Sequence, residues 1–254
     1  MEKGAIVSAL AFLGIVTLPV KIVMEFVNPG LLKSTVFAAV FGICILLMAI
    51  FSSKLVLKND IKYSSKNAVL AFLSAVCCLG ILWSAIAHFS VPSPSDVQFQ
   101  YWLFNFFCLL SSLFFAGVSY SHLSGNNVFR KMQFIVFSPI LMYITSLTVF
   151  FTFEFDDPSA YEVLGQSLML LFFVYYSHFY IKLSEKNHLK RCFAFGVPAV
   201  VVNLCHYIPR LVTNPVGSVN SVSSISSILI CAYVSLFLVS EMKFMDLPEK
   251  VGTI

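Results

Sequence analysis

The chain has 254 residues, of which 59% are hydrophobic and 11% charged, with a mean hydropathy of +0.89 and a formal net charge of +4. A water-soluble domain of this size cannot keep so apolar a surface solvated, which places most of that surface against lipid and excludes an ordinary soluble enzyme. The basic residues sit in separate short islands between apolar runs, with no basic face carrying interleaved aromatics, so nucleic acid is not an expected partner.

A spanning helix needs about 20 mainly apolar residues to cross about 30 Å of hydrocarbon. Runs of this kind predict an all-α, polytopic bundle of eight transmembrane helices. They fall over about 5–27, 31–56, 67–90, 99–122, 131–152, 160–183, 191–212 and 218–241. The first run is too long for the apolar core of a secretory signal, no small-x-small cleavage site follows it, and it is expected to be retained. It carries Lys21 and Glu25 four residues apart, a spacing that puts them on one helix face as an ion pair. Asn28, Pro29 and Gly30 predict a tight turn into the second helix, and Val91-Pro92-Ser93-Pro94-Ser95-Asp96 separates the third from the fourth. His88 closes the third helix at about the level of Asn105 in the fourth. There Asn105, Cys108, Ser112, Ser119 and His122 form a line expected to face the bundle interior.

Pro139 in the fifth helix and Pro198 and Pro209 in the seventh are expected to kink their helices. On the sixth, Gln166 lies toward the first end. Tyr175, Tyr176, His178, Tyr180 and Lys182 at the other end read as an interfacial aromatic belt with a snorkelling lysine. Asn203, His206 and Arg210 recur at i, i+3, i+7 on the seventh helix as one polar stripe. Asn220, Ser223, Ser224, Ser227, Cys231 and Ser235 line the eighth, where small residues let a neighbouring helix approach. His88-Phe89 followed by a helix bearing Asn105 is weakly echoed by His206-Tyr207 followed by a helix bearing Asn220.

Cytoplasmic loops keep an excess of Lys and Arg, and here thirteen of the sixteen basic residues fall on one side of the eight runs. Lys21, Lys33 and Arg210 are on the other side, together with Glu25, Asp96, Glu154, Asp156, Asp157 and Glu162. The alternation requires an even number of spans and predicts both termini in the cytoplasm. The short connections leave a single transmembrane domain over 1–254. The Phe-rich, Lys-over-Arg composition with short loops resembles multi-helix proteins of bacterial cytoplasmic membranes, which makes a cell membrane the expected location and transfers no active residue.

Cys44, Cys77, Cys78, Cys108, Cys192, Cys205 and Cys231 all lie in apolar runs and form no C-x-x-C pair, so they are expected to pack as small hydrophobes. Glu154, Asp156 and Asp157 read as a solvated loop rather than a cation site. No zinc-helix, phosphate-loop or nucleophile-elbow motif is present, and no cofactor or metal is expected. Ionisable and other polar groups at membrane depth are costly, so they mark the candidate site: Lys21, Glu25, Gln166, Asn203, His206, Arg210 and Asn220, all toward the outer leaflet. They predict a protein that binds or moves a small anionic or amphipathic molecule or lipid. Two other readings are a structural or regulatory subunit packing its small-residue stripes on a membrane partner, and a membrane enzyme with Glu25 and His206 as acid and base.

Overall fold

A computed structural model describes residues 3–27, 35–53, 56–57, 66–90, 98–130, 132–153, 160–182, 186–215, 217–241 and 245–246. Eight α-helices form among them: α1 (Lys3–Val27), α2 (Thr35–Ser53), α3 (Ala68–Phe89), α4 (Gln98–Ser124), α5 (Ser138–Phe153), α6 (Ala160–Lys182), α7 (Lys186–Thr213) and α8 (Val219–Glu241). A two-residue antiparallel ladder pairs Val56 with Asp246 and Leu57 with Met245. The connections expected at Asn28-Pro29-Gly30, Val91–Asp96 and Glu154–Asp157 lie outside the described residues, as do several of the loop lysines.

Among the described residues, seven stretches are long and apolar enough to cross a membrane, one in each helix except α2. In α2 the apolar stretch is Phe37–Ser53, which is shorter. The fourth of the seven, Gln133–Phe151, combines a 3-10 turn over Gln133–Phe137 with α5. Here the expected kink at Pro139 is corrected. Pro139 occupies the first turn of α5, where its missing N–H would have had no helical acceptor, so it starts a helix instead of bending one. Pro198 and Pro209 do lie inside α7, and Pro19 lies inside α1.

Successive helices run in opposite directions. One end of the molecule, called here the near end, collects the starts of α1, α3, α5 and α7 and the ends of the even-numbered helices. The far end collects the rest. Helices α3 to α8 pack each against the next, and α8 packs back on α3, closing a ring of six. The α1–α2 pair lies outside that ring, and both of its helices rest on α7. A separate apolar cluster of Phe41, Ile45 and Met48 against Val201, Val202 and Cys205 joins α2 to α7.

The inside of the ring is filled by aromatic side chains. Phe114, Phe115, Phe172, Phe173, Tyr176, Tyr233 and Phe237 are fully buried and meet mostly edge to face, a preferred arrangement for aromatic quadrupoles. Phe72, Trp83, Phe99 and Trp102 instead point outward and are more than half exposed, an apolar exterior suited to lipid. The expectation of an interfacial belt is corrected for Tyr176 and Tyr180, which pack inside the ring at 0% exposure. Tyr175 remains half-buried, stacked on Phe195 with the Arg191 guanidinium 5.1 Å from its ring centre. At the near end Asn67 caps α3 through a hydrogen bond from the Leu70 N–H (3.1 Å) and donates its own N–H to the His122 carbonyl, tying α3 to the end of α4.

Candidate functional site

All six ring helices contribute to one cavity of about 200 Å³ that opens at the far end. Its lining is graded because each helix delivers residues one turn apart from rim to floor. His88, Tyr101, Glu162, Arg210 and Asn220 stand at the rim; Ser84, Ser146, Gln166, Tyr207, Ser223 and Ser227 come next; Ile81, Cys108, Met142, Tyr143 and Ile230 form the floor. On α8 the lining runs from Asn220 to Ile230, a depth of about 15 Å at the usual helical rise.

A network around Glu162 holds the rim together. Arg210 Nη1 donates to Glu162 Oε1 (3.2 Å) and Oε2 (3.4 Å), and its Nη2 donates to Asn220 Oδ1 (3.0 Å). Gln166 Nε2 donates to Glu162 Oε1 (3.3 Å), while Gln166 Oε1 accepts from the Ser146 hydroxyl (3.1 Å). His206 Nε2 lies 3.2 Å from Glu162 Oε2 but outside hydrogen-bonding angle. One carboxylate thus links α6 to α7 and, through its neighbours, to α8 and α5. On the opposite wall His88 Nε2 meets the Ser223 hydroxyl at 2.9 Å, joining α3 to α8. The Glu162 and Arg210 charges offset each other, and Glu162 is enclosed by its partners with a side chain 10% exposed. Arg210, 25% exposed, keeps donors toward the cavity.

The residues singled out in the sequence divide into two sets. Gln166, Arg210 and Asn220 line the cavity, and His206 touches it through Glu162. Lys21 and Glu25 sit outside the ring on the other side of α7, because α1 packs against the outer surface of that helix. Lys21 pairs with Glu25, donates to the Cys205 carbonyl (3.2 Å) and lies 5.1 Å from the Tyr161 ring centre. Asn203 sits between α6 and α7, its amide donating to the Gly165 carbonyl (2.9 Å) and to Ala199 (2.8 Å). Asn105 is buried outside the cavity lining. Glu25 and His206 therefore have separate partners, Lys21 and Glu162.

Glu162 and Tyr101 are rim residues that the sequence reading did not select, and Glu162 is the one that organises the network. It looks like a loop acid beside Glu154 and Asp157, yet it falls in the first turn of α6, four residues before Gln166. That i, i+4 carboxylate–amide spacing was the available signal. Among the described residues no group of three or more His, Cys, Asp or Glu side chains could hold a metal ion. The arrangement can orient a polar head at the rim and accept an apolar part at the floor. No family model, curated protein or solved structure matches the chain.

Proposed function

We propose that this chain is a multi-pass membrane protein with eight spanning helices and cytoplasmic termini, and that its far-end cavity binds a small amphipathic molecule or lipid from the outer leaflet. The observation that carries the binding reading is the graded lining, with donors of Arg210 and Asn220 above and Met142, Cys108 and Ile230 below. Ligand sites are characteristically concave and largely apolar, with a few convergent polar groups. Because Glu162 neutralises Arg210, the head group is an oxygen acceptor on a short apolar body rather than a multiply charged anion. Support for eight spans comes from α2: the 17-residue apolar stretch Phe37–Ser53 extends about 25 Å, near the lower limit for a bilayer, and the positive-inside pattern needs an even number.

The test is thermal unfolding of the purified protein in detergent with single-chain amphiphiles of equal length bearing a carboxylate, a hydroxyl or no head. Wild type should be stabilised by the carboxylate and hydroxyl compounds, and Arg210→Gln should lose most of that shift. Equal stabilisation of wild type by all three compounds would overturn the oriented-head reading.

A further inference from the structure

Below the cavity, three tyrosines and a histidine form a chain of adjoining polar side chains. The Tyr233 and Tyr176 hydroxyls bond to each other, the Tyr176 and Tyr180 rings lie 4.8 Å apart one turn along α6, and Tyr180 Oη lies 3.2 Å from His122 Nε2. All three tyrosines are 0% exposed, whereas His122 is half-buried, three residues from the end of α4. Their neighbours are Phe114, Phe115, Phe172, Phe173 and Phe237, so the space they fill is one this chain elsewhere fills with phenylalanine. Burying a hydroxyl is costly unless it is bonded, and a core needing volume alone has no use for three in series.

The direction of the chain matters as much as its existence. Tyr233 follows Ile230 of the cavity floor by three residues on α8, about 4.5 Å along the axis. From Tyr233 the bonds pass to α6 and then to the end of α4, and from Tyr233 to the end of α8 is about 12 Å. Cavity, chain and the single turn between them together cover about 30 Å, the thickness of the hydrocarbon layer.

We propose that the Tyr233–Tyr176–Tyr180–His122 chain carries protons between the near end and the cavity floor, giving the protein a proton-conducting function. A tyrosine hydroxyl both donates and accepts, so the chain has two polarities. In one, each hydroxyl donates toward His122 Nε2. In the other, Nε2–H donates to Tyr180, Tyr180 to Tyr176 and Tyr176 to Tyr233, and the Tyr233 proton points away from Tyr176. A proton taken up at His122 Nδ1 at the near end converts the second polarity to the first: Nε2 passes its proton to Tyr180, and each hydroxyl passes its own proton to the next. The last is delivered from Tyr233 to water at the cavity floor, and no net charge remains on any ring. The inference rests on the chain spanning a membrane, not on the cavity holding an amphiphile.

The experiment uses the full-length protein in liposomes containing a pH-sensitive dye, with a potassium diffusion potential and no added ligand. Wild type should admit protons several-fold faster than protein-free vesicles. Tyr176→Phe and His122→Gln should fall to the protein-free rate, and Tyr175→Phe, which alters a tyrosine outside the chain, should stay at the wild-type rate. A wild-type rate equal to that of empty vesicles would overturn the proposal, as would a folded Tyr176→Phe that conducts normally. If Tyr176→Phe does not fold, His122→Gln at the partly exposed end of the chain decides, and retention of flux there overturns it. Amphiphile binding in the thermal assay is read separately, so either result stands without the other.

Discussion

A proline inside a helix removes the N–H that would bond the carbonyl four residues earlier. Pro209 therefore leaves the Cys205 carbonyl without its helical donor, and Lys21 supplies one from α1. This accounts for a lysine that is 2% exposed in an apolar helix. Its charge is balanced by Glu25, and its ammonium satisfies a backbone group that would otherwise be buried unpaired. Lys21→Ala should lower stability by about 2 kcal/mol, the usual cost of losing a hydrogen bond to a charged group, as read by thermal unfolding. Amphiphile-induced stabilisation should persist in that variant, because Lys21 is outside the cavity. Glu162→Gln should act differently. It leaves Arg210 without its counter-charge, so unfolding should come at lower temperature and carboxylate compounds should gain over hydroxyl compounds in the same assay. The i, i+4 relation of Lys21 to Glu25 could be read directly from the sequence. That they share no cavity with Arg210 could not, since it depends on which face of α7 meets α1.

At the scale of elements, hydropathy located the helices because lipid-facing and core-facing residues are both apolar, so no amphipathic period was needed. Packing between helices was less legible. Gly165 of α6 faces Asn203 of α7 so closely that an added Cβ would stand 2.9 Å from the Asn203 side-chain oxygen, while the same amide bonds the Gly165 carbonyl. Asn203 is thus a clamp between two helices, a role its place in a polar stripe did not distinguish from cavity lining. Gly165→Ala should cost about 1–3 kcal/mol by overpacking and separate the α6 and α7 segments that carry Glu162 and Arg210. A lower unfolding temperature together with a weakened amphiphile response would show both effects. The start of α5 was missed for a related reason: a proline in an apolar run reads as a kink until the 3-10 turn before it is known.

For the whole molecule, the charge pattern predicts an even number of spans and an orientation, but ring closure was invisible to it. Nothing in a list of apolar runs says that α8 returns to α3 or that α1 and α2 stay outside. The orientation can be checked with single cysteines at exposed sites, Thr213→Cys at the far end and Asn126→Cys at the near end. In intact cells a membrane-impermeant thiol reagent should label the first, and the second only after permeabilisation. Labelling of both in intact cells would refute the proposed topology. The native cysteines give a low background, being buried or half-buried within the helices.

The outer pair of helices also bears on how the protein is made. Among the seven candidate spans, the α7 stretch is the most enclosed, at 61% buried, and it carries Asn203, His206, Arg210 and two internal prolines. On its own it would meet hydrocarbon with groups that hydrocarbon cannot solvate. The α1–α2 pair is translated first and covers the outer side of α7, while α6 and α8 flank it within the ring. In the proposed membrane topology, chain order thus brings one wall of a sheltered berth into the bilayer before α7 leaves the ribosome.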